Sequence, residues 1–182
     1  NDDGDHQQQL VVPERFGAAF IPALFTLYFA LIGIKLVRDQ DLVNTMARTG
    51  AASELLKGPL IYGIMHTLVT LLWWRDFPSI LAISAICGGD GMAEIIGKKY
   101  GTIRLAWSHN KTFQGSLGFV MFSVALALCL LSQMGFLFSF GSVLRVVIVM
   151  LVAAVVESIP IFGDFDNATV PIAASLTSLL LL

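Results

Sequence analysis

The stretch "FPSILAISAICGGDGMAEIIGKKYG", residues 77–101, decides the fold. Phe77–Cys87 is apolar except for two serines, and Cys87–Gly101 then holds two acids, two lysines and five glycines. No polar loop separates the two halves. A helix crossing a bilayer needs about 20 mostly apolar residues, and here its charged end falls where lipid gives way to water. Ionisable groups beside hydrocarbon are expensive, so they are read first as functional.

The rest of the chain has the same character. Of 182 residues, 56% are hydrophobic and 13% are charged, against about 25% charged in a soluble domain. Mean hydropathy is +0.79. An all-α, polytopic integral membrane protein with about five to six transmembrane helices is expected, its partner the lipid bilayer. The net charge of −2 leaves no basic surface for nucleic acid. Cys87 and Cys129 lie in apolar runs and read as small hydrophobes, making neither a disulfide framework nor a zinc site.

Working outward, the expected spans are 16–37, 59–74, 77–96, 117–140, 142–163 and 168–182, the last stopped by the chain end. Residues 1–15 form a polar N-terminal segment, and 16–182 are expected to form a single transmembrane unit. The chain lacks an initial Met and ends in an apolar run, so a fragment or processed form is expected. Trp73 and Trp74 are placed like interfacial anchors. Residues 41–57 have the mixed character of an amphipathic helix lying in the interface. His66, within the second span, is expected to hydrogen-bond across helices, whereas His6 and His109 read as solvated.

The basic residues give the sidedness. Lys35, Arg38, Arg48 and Lys57 separate the first two spans, and Lys98, Lys99, Arg104 and Lys111 separate the third and fourth. With alternating spans both loops share one face, the cytosol-like one by the positive-inside rule. Residues 158–167 fall there too, so the polar loops gather on one face.

Asp90 and Glu94 are four residues apart and share a helix face, with Lys98 one turn further. Paired carboxylates suit a divalent cation that also holds substrate phosphates. Gly88, Gly89 and Gly91 let the backbone bend and a ligand approach closely. "KTFQGS", Lys111–Ser116, places a cation, small hydroxyls and a glycine just before a helix, whose N-terminus favours anions. No GxxxxGK[ST] P-loop is present. Glu157 stands in or just below an apolar span, with Asp164, Asp166 and Asn167 following. Carboxylates for a metal and cations for phosphates, set beside lipid, are the layout for transferring a phosphate-bearing group onto a lipid.

Four segments then give a resemblance. "ELLKGPLIYG" (54–63), "WWRDFPSILAISAICGGDGMAEIIGKKYG" (73–101), "NKTFQGSLGF" (110–119) and "VESIPIFGDFDNATVP" (156–171) resemble, in this order, the polyprenol kinase family. The likeness is closest to the phytol and farnesol kinases and covers the chain from about Asp41 onward. It implies a multi-span enzyme that phosphorylates an isoprenoid alcohol, phytol first, with farnesol and geranylgeraniol as alternatives. It also implies CTP as phosphate donor, Mg²⁺ or another divalent cation, a plastid membrane and a place in tocopherol formation.

Carried over residue by residue, Asp90 matches the acid of the family's GDG motif, and Glu94 stands where Asp is usual. Lys98 and Lys99 match a basic pair that is often Arg-Arg. Lys111, Thr112, Gly115 and Ser116 match a K-[ST]-x-x-G-S element, with Gln114 where Ala or Glu is common. Glu157 matches the acid of V-E-S-[IL]-P. Asp166, Asn167, Thr169 and Pro171 match D-D-N-x-T-V-P, with Phe165 replacing its first Asp and Asp164 as the possible substitute. The family's R-K-x-x-H element does not precede Phe16.

The resemblance thus implies Asp90, Glu94 and Lys111 as catalytic residues, and Asp90, Glu157 and Asp166 as metal ligands. Lys98, Lys99, Lys111, Thr112, Gly115 and Ser116 would bind the nucleotide phosphates, joined by Arg104 as a further cation of the same loop. The rival enzyme is a phospholipid cytidylyltransferase, which releases pyrophosphate. The rival of another class is a non-catalytic membrane paralogue or transporter subunit, for which polar residues would spread through several spans.

Overall fold

The computed structural model describes the backbone of residues 2–160 and 165–181, and the side chains from Glu14 onward. Asp164 lies outside the described residues. The fold is all-α apart from one small hairpin, and five stretches are long and apolar enough to cross a membrane: Glu14–Gly33, Ala52–Leu72, Phe77–Tyr100, Phe113–Gln133 and Phe140–Ser158. The sixth expected span is the 15-residue helix Asp166–Leu180, shorter than a bilayer crossing requires.

By its contacts the chain divides into two compact units, Asn1–Trp74 and Arg75–Leu182. The first holds α1 (Asp2–Gly33), α2 (Gln40–Met46), a 3-10 turn (Ala52–Leu56) and α3 (Gly58–Leu72). Helix α1 starts well before the expected boundary, so the polar N-terminal segment is helical too. Gly63 lets α3 approach α1 closely, since a Cβ there would stand 2.3 Å from Thr26 Oγ1. The segment expected to lie amphipathic in the interface turns inward instead. Val43 and Leu55 are buried against Phe29 and Ile32, and the Asp39 carboxylate caps α2 by accepting from Leu42 N at 2.9 Å. His66 makes no helix–helix hydrogen bond among the described residues; its ring meets Tyr62 one turn earlier on α3.

The second unit contains α4 (Phe77–Ser84), a π-helical turn (Ala85–Asp90) and α5 (Gly91–Tyr100), which run on as one rod. It continues with β1 (Arg104–Leu105), β2 (Ser108–Thr112), α6 (Phe113–Gln133), α7 (Phe140–Ser158) and α8 (Asp166–Leu180). Its core comprises Leu81, Ala85, Phe119, Ala127, Val149, Met150, Ala153 and Ala174 among others, from α4 and the π turn through α8.

Helix ends follow local chemistry. Thr112 caps α6 by accepting from Gly115 N at 3.1 Å, so Phe113–Ser116 is the helix's first turn rather than a loop before it. Gly135, at φ 80°, ends the same helix, with Phe136 N bonded to Leu131 O at 3.1 Å. That is the left-handed glycine stop of many helices, and it closes the fourth span at Gln133 instead of residue 140. Helix α7 stops at Ser158 because Ile159 precedes Pro160 and takes an extended conformation, as pre-proline residues do.

Candidate active site

The π turn is the first device of the site. Single π turns in α-helices recur at functional positions, and this one carries Gly88, Gly89 and Asp90. The glycines serve packing more than bending. A Cβ on Gly89 would stand 2.7–2.9 Å from the Phe119 ring, and one on Gly88 3.1 Å from Phe122 O. Gly97 and Gly115 continue this close crossing of the rod with α6; a Cβ on Gly115 would meet Ala93 O at 3.0 Å. Gly91 differs, because a Cβ there would meet nothing within 4 Å. The backbone beside Asp90 therefore opens onto free space.

The β hairpin is the second device. Arg104 pairs with Thr112 and Leu105 with Ser108, with an irregularity between them. Ser108 and Thr112 are buried while His109 and Asn110 face outward. Gln114 clamps the approach to the hairpin, donating to Thr102 Oγ1 at 2.6 Å and accepting from Ile103 N at 3.2 Å. Strand β2 thus delivers Lys111 to the last turn of α7 and the first of α8. There its ammonium pairs with Glu157 and lies 3.6 Å from Asp166 Oδ2.

The Glu157 side chain is 3% exposed, so its charge is held inside the protein by this partner. Burial alone would push the Lys111 amine down; the Glu157 carboxylate outweighs it, with help from Asp166 and Asp90, and holds its pKa above the ordinary lysine value. Asp90, half-buried, joins the group electrostatically. It makes no hydrogen bond or ion pair with any described residue.

The structure thus brings together Asp90, Lys111, Glu157 and Asp166, and Glu94 adds to them only as a neighbouring charge on Asp90. Glu94 pairs with Lys98 on the exposed face of α5. Lys99 is exposed and lies 5.3 Å from the Tyr100 ring centre. Arg104 donates to His109 O at 2.7 Å within the hairpin. Thr112 and Gly115 are engaged in capping and packing. Ser116 Oγ, on the first turn of α6, is shut off from solvent without a partner among the described residues.

Comparison with known proteins gives the chain its relatives. Over 173 residues the chain is 35% identical to the chloroplastic farnesol kinase of Arabidopsis thaliana, covering 90% of this chain and 55% of that protein. It is 38% identical over 176 residues to probable phytol kinase 3, chloroplastic, of Glycine max (92% and 54%). It is 35% identical over 173 residues to phytol kinase 1, chloroplastic, of Arabidopsis thaliana (91% and 57%). The chain is homologous to the phytol and farnesol kinases. It spans a little over half the length of these curated relatives. No family model and no solved structure matches it.

A divalent cation is the group expected from the resemblance read in the sequence. Among the described residues, no three His, Cys, Asp or Glu side chains converge as a metal cage. The donor chemistry still fits magnesium, a hard cation bound through one or two carboxylates plus substrate phosphates rather than by an all-protein cage. Asp90, Glu157 and Asp166 offer only oxygen, and the Lys111 ammonium already shows that this place favours positive charge.

Sequence reasoning missed the hairpin and, with it, Trp107. The indole Nε1 donates to Ser158 Oγ at 3.0 Å, one residue from Glu157. The tip Leu105–Ser108 carries none of the Asn-Gly or Asp-Gly signatures that announce a tight hairpin, so the sequence held no local signal for it.

Proposed function

We propose that this chain carries the phosphoryl-transfer site of a plastid-membrane kinase, which moves the terminal phosphate of CTP to an isoprenoid alcohol, phytol foremost. The observation carrying the reading is the grouping of Asp90, Lys111, Glu157 and Asp166 at one end of an otherwise apolar bundle. There a hydroxyl borne on a lipid tail would meet a charged nucleotide. The names and plastid location of the relatives support the alcohol class and the organelle.

In this reading the alcohol oxygen attacks the terminal phosphorus of CTP. The bond from that phosphorus to the bridging oxygen breaks, and CDP leaves with the bond's electron pair. Glu157 and Asp166 are engaged by Lys111, so Asp90 is the carboxylate open to accept the hydroxyl proton. Magnesium, held by Asp166 together with the phosphates, would supply charge neutralisation. Lys111 orients the carboxylates and presents its remaining N–H bonds to the transferred group. Such catalysis rests mainly on positioning and electrostatics.

The test is transfer from radiolabelled CTP to phytol, farnesol and geranylgeraniol in membranes containing the full-length protein. Alcohol monophosphate formed with CTP, and lost on magnesium chelation, is the expected result. Release of pyrophosphate, or no transfer despite correct insertion, would overturn the reading.

A further inference from the structure

Two bonds cross from the hairpin to the last turn of α7, side by side. Lys111 pairs with Glu157, and Trp107 Nε1 donates to Ser158 Oγ at 3.0 Å. The Ser158 hydroxyl donates its own proton to Val155 O at 2.7 Å, so it can only accept from the indole. Ser158 is 2% exposed, which fixes the acceptor in the helix. The other bonds of the hairpin lie within it or at its base, where Gln114 and Phe113 N meet Thr102 and Ile103, and its β1 is only two residues long, with irregular pairing. Lys111, on the five-residue β2, has a long side chain with many rotamers open to it, and holding its ammonium in one position requires the hairpin itself to be held against α7.

We propose that Trp107 is the positioning residue of this site: its bond to Ser158 fixes the hairpin so that the Lys111 ammonium stands between Glu157 and Asp166. The inference deepens the kinase reading and rests on it for its catalytic consequence. The competing explanation is plain. Trp107 is 58% exposed, and tryptophans gather at membrane interfaces as anchors. An anchor needs the ring at the right depth and is indifferent to Ser158.

Ser158→Ala therefore separates the two, because it leaves the indole in place and removes only its acceptor. Ser158→Ala and Trp107→Phe are each expected to lower kcat about tenfold, the usual scale for removing an outer hydrogen bond that orients a reacting group. KM for alcohol and nucleotide should barely move, and Trp107→Phe/Ser158→Ala should be no slower than either single change. Wild-type kcat in Ser158→Ala would overturn the proposal.

A second arm does not need turnover. In protein carrying isotope-labelled tryptophan, the indole N–H resonance of Trp107, assigned by its loss in Trp107→Phe, should shift in Ser158→Ala. It should shift in Lys111→Met as well, since both bonds hold one hairpin. An unshifted resonance in Ser158→Ala overturns the proposal. Absence of phosphate transfer in the wild type would instead defeat the kinase reading, leaving the resonance to decide the role of Trp107.

Discussion

The two ends of the Arg75–Leu182 unit are built on opposite principles. At the α5, hairpin and α7–α8 end, contacts are polar and join residues far apart in sequence, Lys111 with Glu157 and Trp107 with Ser158. At the other end, α6 turns into α7 through a segment rich in exposed apolar side chains. Leu137 is 95% exposed and Phe140 85%, and one long-range contact there is a tilted Phe77–Phe136 ring pair at 6.5 Å. Lipid can solvate the second end without specific partners. The first contains a buried carboxylate, which only a specific partner can satisfy. The proposed chemistry and the buried ion pair therefore share one end, and substitutions should read out accordingly.

The largest effect is expected at Asp90. Asp90→Asn removes the group assigned to accept the proton and should lower kcat by about 10²–10⁴, the range for losing a general base. Because Asp90 makes no ion pair with a described residue, thermal stability in detergent should hold or rise. Full activity would take Asp90 out of the chemistry and leave the cluster structural.

Next comes Lys111→Met, which strands the Glu157 charge inside the protein. Breaking one partner of a buried pair costs about 3–5 kcal/mol, so a lowered Tm and reduced yield are expected. Adding Glu157→Gln should recover much of the loss, because the stranded charge disappears with it. A wild-type Tm for Lys111→Met would mean that solvent or lipid headgroups reach Glu157 as readily as Lys111 does.

A smaller contrast lies within the GDG motif. Gly89→Ala drives a methyl against the fully buried Phe119 ring and should cost about 1–3 kcal/mol, as overpacking does. Gly91→Ala meets open space and should leave Tm nearly unchanged, with any loss confined to nucleotide or alcohol binding. Equal destabilisation by both would show that the π turn, rather than the crossing with α6, needs the glycines.

Much of this was legible in the sequence. The all-α membrane fold followed from apolar length, but hydropathy registered neither the stops at Gly135 and Pro160, nor the early start of α1, nor that Asp166–Leu180 is too short to cross. Asp90, Lys111, Glu157 and Asp166 stood out as ionisable residues at the ends of apolar runs, and the structure gathers all four. Asp90 and Glu94 share a helix face by spacing, yet Glu94 turns to Lys98, because an i,i+4 partner is always within reach. Thr112 and Gly115 read as phosphate ligands from their motif, but a capping threonine and a close-packed glycine have the same signature. The 3-10 turn, the inward-facing Val43 and Leu55, and the Trp107–Ser158 bond depend on partners far along the chain. No local pattern encodes them.

The smallest effect is expected at the apolar end, and it sharpens the contrast between the two ends. Leu137→Ser removes an apolar side chain that touches little of the protein. The turn itself is set by Gly135 at positive φ and by Ser139, whose Oγ accepts from Ser142 N at 3.1 Å. Leu137 takes part in neither, so stability should stay within about 0.5 kcal/mol, as for surface changes generally, and kcat should match the wild type. The informative failure would be a raised KM for the alcohol with kcat intact. An isoprenoid tail much longer than its hydroxyl head would then be reaching down the bundle to this end, and the two ends would be joined by the substrate itself.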